Sequence, residues 1–124
     1  MTPFGEAVRK LRAERGISQK EMAAHLGVSA AYLSALEHGQ RSEPSWQLVQ
    51  RIIGFFNIIW DEAEELQRLA ALSRPKIVID ARELTPRAAI LANRLAEAYP
   101  DLSEDELSEI EAVLDGKSTD SETA

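Results

Sequence analysis

The sequence predicts an all-α chain with one short strand, on three observations. Apolar residues recur at helical spacing along nearly the whole of its 124 residues, Ser, Thr or Pro stands where each run begins, and Gly or Pro stands where most runs end. Thr2-Pro3 supplies an N-cap and a first helical position, Phe4, Val8 and Leu11 share one face, and Gly16 closes this first helix. Ser18 and Glu21 form a capping box for a short second helix with Met22 and Ala23 inward, ending at Leu26-Gly27. Ser29 opens a third, with Leu33 and Leu36 inward, and Gly39 ends it. Pro44-Ser45 starts a fourth, whose Leu48, Val49, Ile52, Ile53 and Phe56 make a broad apolar stripe before Asn57. A fifth is expected from about Trp60 to Leu72, with Asp61, Glu62, Glu64 and Glu65 near its positive end, and Ser73-Arg74-Pro75 breaks it.

Beyond that break, Ile77-Val78-Ile79 is a β-branched run between Lys76 and Asp80 and reads as a strand. Thr85-Pro86 caps a sixth helix with Ile90, Leu91 and Leu95 inward, ending near Tyr99-Pro100. Ser103 and Glu106 form another capping box, and Leu102 can staple onto Leu107 at the start of a seventh helix with Ile110 and Leu114. The domains expected are 1–72, then 73–115 with the strand and two helices as a dimerisation region, then 116–124 as a polar, disordered, acidic tail.

Composition narrows the function. With no cysteine, a disulfide framework, a cysteine zinc site and a thiol nucleophile are excluded. No apolar run reaches the roughly 18 residues of a membrane span, and Glu6, Arg9 and Lys10 stand where a signal peptide needs an apolar core, so a cytoplasmic protein is expected. The net charge of −7 argues against a nucleic-acid ligand until it is divided by position. Residues 1–60 hold seven basic and five acidic side chains, a net +2, whereas residues 61–124 hold seven and sixteen, a net −9. An acidic second half has to stay clear of any duplex that the first half approaches.

The interval from Gly16 to Pro44 is the most particular part of the chain. Ser18-Gln19, Ala23, Leu26-Gly27-Val28-Ser29, Leu33-Ser34, Glu37, Gly39 and Pro44 resemble, position by position, the Xre/Cro-like helix-turn-helix family of bacterial and phage repressors. The resemblance spans residues from about 4 to 70 and implies a five-helix, λ-repressor-like fold that binds double-stranded DNA as a homodimer. The residue types have reasons of their own. Crossing helices need a small side chain, which is Ala23, and a turn residue that accepts positive φ, which is Gly27. The helix N-termini at Ser18-Gln19 and Ser29-Ala30 present unpaired N–H groups suited to phosphate.

By resemblance the third helix reads DNA, with Ala30, Ala31, Tyr32, Ser34 and Ala35 at or beside the positions that approach base edges. Three of those five are alanines, which offer only apolar contact, so direct readout is thin. Gln19 is then the first choice for a polar contact, followed by Ser29, Tyr32 and Ser34, while Gln40, Arg41 and Ser42 would touch the backbone. Each has a plainer alternative: Gln19 as a solvated first-turn residue, Tyr32 as packing. The resemblance pairs Glu37 with Arg12 as a structural ion pair. Trp46 would cover the core or lie at a dimer contact.

His25 and His38 lack a ligand spacing, and no nucleophile, phosphate loop or zincin motif is present, so neither an enzyme, a metal nor a cofactor is expected. Ile77, Val78 and Ile79 have no partner strand in their own chain, which points to antiparallel pairing with a second copy, with an extended linker as the alternative. The expectation is a sequence-specific transcriptional repressor on a palindromic operator. The alternatives are an antitoxin that also clasps a toxin through its acidic C-terminal half and a protein-interaction adaptor with the same fold.

Overall fold

The structure is a computed structural model and describes residues 1–41 and 43–123, the side chains of 118–123 excepted. Five helices build the first of two compact units, Met1–Ile77. Helix α1 (Pro3–Arg15) begins where the Thr2 hydroxyl accepts the Gly5 N–H at 2.9 Å. Ser18 caps α2 (Gln19–Leu26) by accepting from Glu21, and Ser29 caps α3 (Ala30–Glu37) by accepting from Tyr32, both at 3.0 Å. Between them Gly27 takes φ +74°, a left-handed conformation that a β-carbon would strain. Helix α4 (Trp46–Phe56) starts at Ser45 and stops at Asn57, and α5 (Trp60–Ala71) carries Asp61 and Glu62 in its first turn.

Each helix contributes one apolar face to a single core. Helix α1 packs on α3 and α5, α2 on α3 and α4, and α4 on α5. Phe4, Val8, Met22, Leu33 and Ile52 are entirely buried at the centre, each contributing about 1.5 to 3 kcal/mol. Trp46 does not cover this core, being 70% exposed.

The second unit, Val78–Ala124, holds α6 (Pro86–Ala98), a single 3₁₀ turn at Tyr99–Asp101, and α7 (Glu104–Thr123). Thr85 caps α6, and Ser103 and Glu106 exchange both hydrogen bonds of a capping box at α7, at 2.9 and 3.1 Å. Among its described residues, no side chain in this unit is buried.

Two expectations are corrected here. No β-strand occurs among the described residues: Ile77, Val78 and Ile79 are irregular and 81, 79 and 57% exposed. β-Branched residues suit a strand, but a strand exists only where a neighbour completes its hydrogen-bond ladder, and the described residues offer none. Ile90 and Leu91, expected inward, are each more than half exposed, because an apolar stripe marks a face without supplying its cover. Helix α7 runs from Glu104 through Gly116 to Thr123.

Candidate nucleic-acid interface

The α2–turn–α3 unit is held from three sides. Met22, Ala23 and Leu26 of α2 and Leu33 and Leu36 of α3 sit in the core, so each of the two short helices has its opposite face free. The Val28 N–H bonds the Ala23 carbonyl at 3.0 Å, closing the turn. From α4 the Arg51 guanidinium donates to the Leu26 carbonyl, one of the acceptors left open at the end of α2.

Beneath α3 lies a buried polar cluster. Glu37 is 1% exposed, and Arg12 of α1 donates through Nη2 to both its carboxylate oxygens, at 2.5 and 2.9 Å. Gln19, the first residue of α2, donates through Nε2 to the same two oxygens at 3.4 and 3.3 Å. Burial pushes the Glu37 carboxyl above the ordinary carboxylate range, against the opposing pull of Arg12, Gln19, His38 and Arg9. The Glu37 backbone carbonyl accepts the Thr2 N–H at 3.0 Å and the Thr2 hydroxyl at 3.2 Å. Gly5 packs directly against that carbonyl, leaving no space for a side chain. One acidic residue thus ties together the starts of α1 and α2 and the end of α3.

Outside this cluster the sequence-predicted contact residues divide by exposure. Ser18, Ser29, Ala31, Gln40 and Arg41 are exposed, whereas Gln19, Ala30, Tyr32, Ser34 and Ala35 are half-buried. Ala30 and Tyr32 pack against the core, and the Arg41 guanidinium lies 5.4 Å from the centre of the Tyr32 ring. Tyr32 therefore both packs and steadies a cation after α3. Ser42 lies outside the described residues.

Both histidines are exposed, with the His25 ring 4.8 Å from that of Phe55 and His38 Nδ1 2.8 Å from the Ser34 carbonyl. Among the described residues, no group of three or more His, Asp or Glu side chains is placed to hold a metal, and no helix is long and apolar enough to cross a membrane.

Several contributors escape sequence reasoning. Thr2 is legible as a cap but not as a tether on Glu37, and Gly5 has no sequence signal. Ser73 reads as a helix breaker, yet its hydroxyl accepts the Phe4 N–H at 3.0 Å, joining the two ends of the first unit. Arg51 gives no local sign of its bond to Leu26.

Comparison with known proteins places this geometry. Residues 3–66, a little over half the chain, match the family described as "Helix-turn-helix domain". The chain is 38% identical over 52 residues to the HTH-type transcriptional repressor RghR of Bacillus subtilis (strain 168), covering 42% of this chain and 38% of RghR. It is 28% identical over 68 residues to the HTH-type transcriptional regulator SinR of the same organism, covering 52% of this chain and 61% of SinR. The uncharacterized HTH-type transcriptional regulator RghRB, also of that organism, is 28% identical over 61 residues, 49% of this chain and 44% of its own length. The chain thus spans less than two thirds of the length of these curated relatives. No solved structure matches significantly.

Proposed function

The chain belongs to the helix-turn-helix domain family, and on that premise we propose that it is a sequence-specific DNA-binding transcriptional regulator, a homodimeric repressor acting on a palindromic operator. The observation that carries this reading is α3: its inner face is fixed by Leu33 and Leu36, its N-terminus is capped by Ser29, and the residues left outward are small. Such a helix fits a major groove roughly 12 Å wide. Arg41 and Gln40, exposed just beyond α3, would take the phosphate backbone, with Ser18, Gln19, Ser29, Ala30, Ala31, Tyr32, Ser34 and Ala35 along the groove. Ser42 is proposed with them on sequence grounds alone. The names of RghR and SinR, a repressor and a regulator, support the same class. A cytoplasmic location follows from a DNA ligand.

Dimerisation is assigned to the second unit. A lone helix-turn-helix makes few base contacts, and two copies gain by placing recognition helices about one DNA turn, roughly 34 Å, apart. The uncovered Ile90, Leu91, Val113 and Leu114 of α6 and α7 are the surface a second copy would cover.

Selection of duplexes from a randomised library by the full chain, followed by fluorescence anisotropy across a salt series, tests the reading. An enriched inverted repeat and a log–log slope near −3.6, the value for about four neutralised phosphates, are expected. No enrichment at low ionic strength, or a flat slope, overturns it in favour of a protein-interaction adaptor, the alternative that the outward alanines of α3 favour.

A further inference from the structure

Gln19 stands at the first position of α2, half-buried, with its amide nitrogen 3.3 and 3.4 Å from the two carboxylate oxygens of Glu37. An ionised carboxylate accepts and never donates, so only the nitrogen of that amide can face it. The opposite rotamer would set the amide oxygen against a carboxylate already within 2.9 Å of Arg12, with no hydrogen between them. The carboxylate therefore dictates which end of the amide points outward. It does so at the floor of an opening of about 340 Å³ lined by Arg9, Arg12, Gln19, Ser34, Glu37 and His38. The donor groups on that lining are numerous, and the Gln19 oxygen is the amide acceptor among them. Next to it, α3 offers alanine at positions 30, 31 and 35, which have no hydrogen-bonding side chain, beside Tyr32 and Ser34, which do.

We propose that Glu37 is a positioning residue that locks the Gln19 amide oxygen outward, so that Gln19 accepts from an exocyclic amino group of a base, N6 of adenine or N4 of cytosine, in the major groove. This rests on the DNA-binding reading. It assigns Gln19 to base readout rather than to a phosphate, which carries acceptors only and asks for a donor. It also makes the contact depend on the charge of Glu37. The groups that face this carboxylate are Arg9 and Arg12 from α1, Gln19 from α2 and His38 just after α3, with Met1 also lining the opening. Because burial raises the Glu37 carboxyl, mild acidification protonates it within the folded protein and frees the amide to turn.

The test has two arms on the full chain. In the first, without DNA, the side-chain amide of Gln19 is followed by nitrogen-15 NMR, assigned by its loss in Gln19→Ala. Slow hydrogen exchange is expected, at least tenfold slower than at a solvated glutamine such as Gln47, together with a resonance that moves as Glu37 titrates. Exchange as fast as at Gln47 overturns the lock. In the second arm, Glu37→Gln is combined with Gln19→Ala and measured on the duplex that the wild type selects from a random library. Glu37→Gln is expected to weaken binding about tenfold when Gln19 is present and not at all when it is alanine. Equal weakening in both backgrounds means that Glu37 acts through folding alone, and overturns the proposal. If Glu37→Gln does not fold, the pair Arg12→Met and Glu37→Leu, which removes both charges while keeping apolar volume, takes its place in the cycle. Failure to select any duplex removes the DNA-binding reading and the base contact, whereas the NMR arm still decides whether Glu37 holds Gln19.

Discussion

The two units of this chain spend their apolar residues differently. Between Phe4 and Ala70, fourteen apolar side chains are buried in one core, whereas from Val78 onward none of the described side chains is buried, although α6 carries an apolar stripe that includes Ile90 and Leu91. Helix formation in the second unit comes from local devices: the Thr85 cap, the Ser103–Glu106 box and first-turn acids. Such devices are worth around 1 kcal/mol each, too little to hold two helices against chain entropy without burial. Stability in the first unit is therefore intramolecular, and in the second it has to come from a covering surface.

Separating the two units should break the comparison most visibly. A fragment of residues 1–77 is expected to keep a cooperative thermal melt that does not depend on concentration, while residues 78–124 alone gain helicity only as concentration rises, both read by circular dichroism. Operator affinity of the first fragment should fall by a factor of order 10² to 10⁴ as two linked sites become one. A concentration-independent melt in the second fragment would show that its helices need no cover.

Single substitutions sharpen it. Glu37→Ala leaves the Arg12 guanidinium buried without its partner and should cost about 3 to 5 kcal/mol in a denaturant melt. Leu33→Ala, at a fully buried site, should cost about 2 to 5 kcal/mol. Leu91→Ala, at a side chain 52% exposed, should leave the melt of the first unit unchanged and shift the monomer–dimer balance seen by sedimentation. Loss of stability in the first unit from Leu91→Ala would show that the first unit's stability does not rest on its own core alone.

What the sequence discloses follows the same division. Helices and their starts are legible because capping is local: Ser18, Ser29, Ser45 and Thr85 each accept from an N–H three residues on, a relation visible in a short window. The helix-turn-helix itself is legible because Ala23 and Gly27 answer short-range steric demands. Partners distant in sequence are not, since nothing near Phe4 announces Ser73, and nothing near Leu26 announces Arg51. Ile77-Val78-Ile79 misleads for a related reason: β-branching expresses a preference that only a neighbouring strand can realise. Gln19 was legible as polar and well placed. Its orientation depends on a carboxylate eighteen residues away.

Acid should separate the units by the smallest margin, and in opposite directions. Burial raises Glu37 above 4.5, so in the interval from 4.5 up to its folded value the native state holds more protons there than the unfolded chain. Its contribution to stability is present below 4.5 and is lost as pH rises through the raised value. Glu106 behaves inversely: the Ser103 backbone N–H and hydroxyl hold its carboxyl below 4.5, so its contribution is present above 4.5 and is lost as pH falls through the lowered value. Lowering the pH through the ordinary glutamate range should therefore loosen the first turn of α7, whereas the Glu37 carboxyl, raised by burial, takes up its proton at higher pH, and that uptake costs the first unit no stability. Amide exchange at Glu106 and Leu107 compared with that at Leu36 and Glu37 reads the contrast, and Glu106→Gln should flatten the response in α7 alone. A first unit that loses protection at Glu37 before α7 loses it at Glu106 would mean that Arg12 outweighs burial at the Glu37 carboxylate.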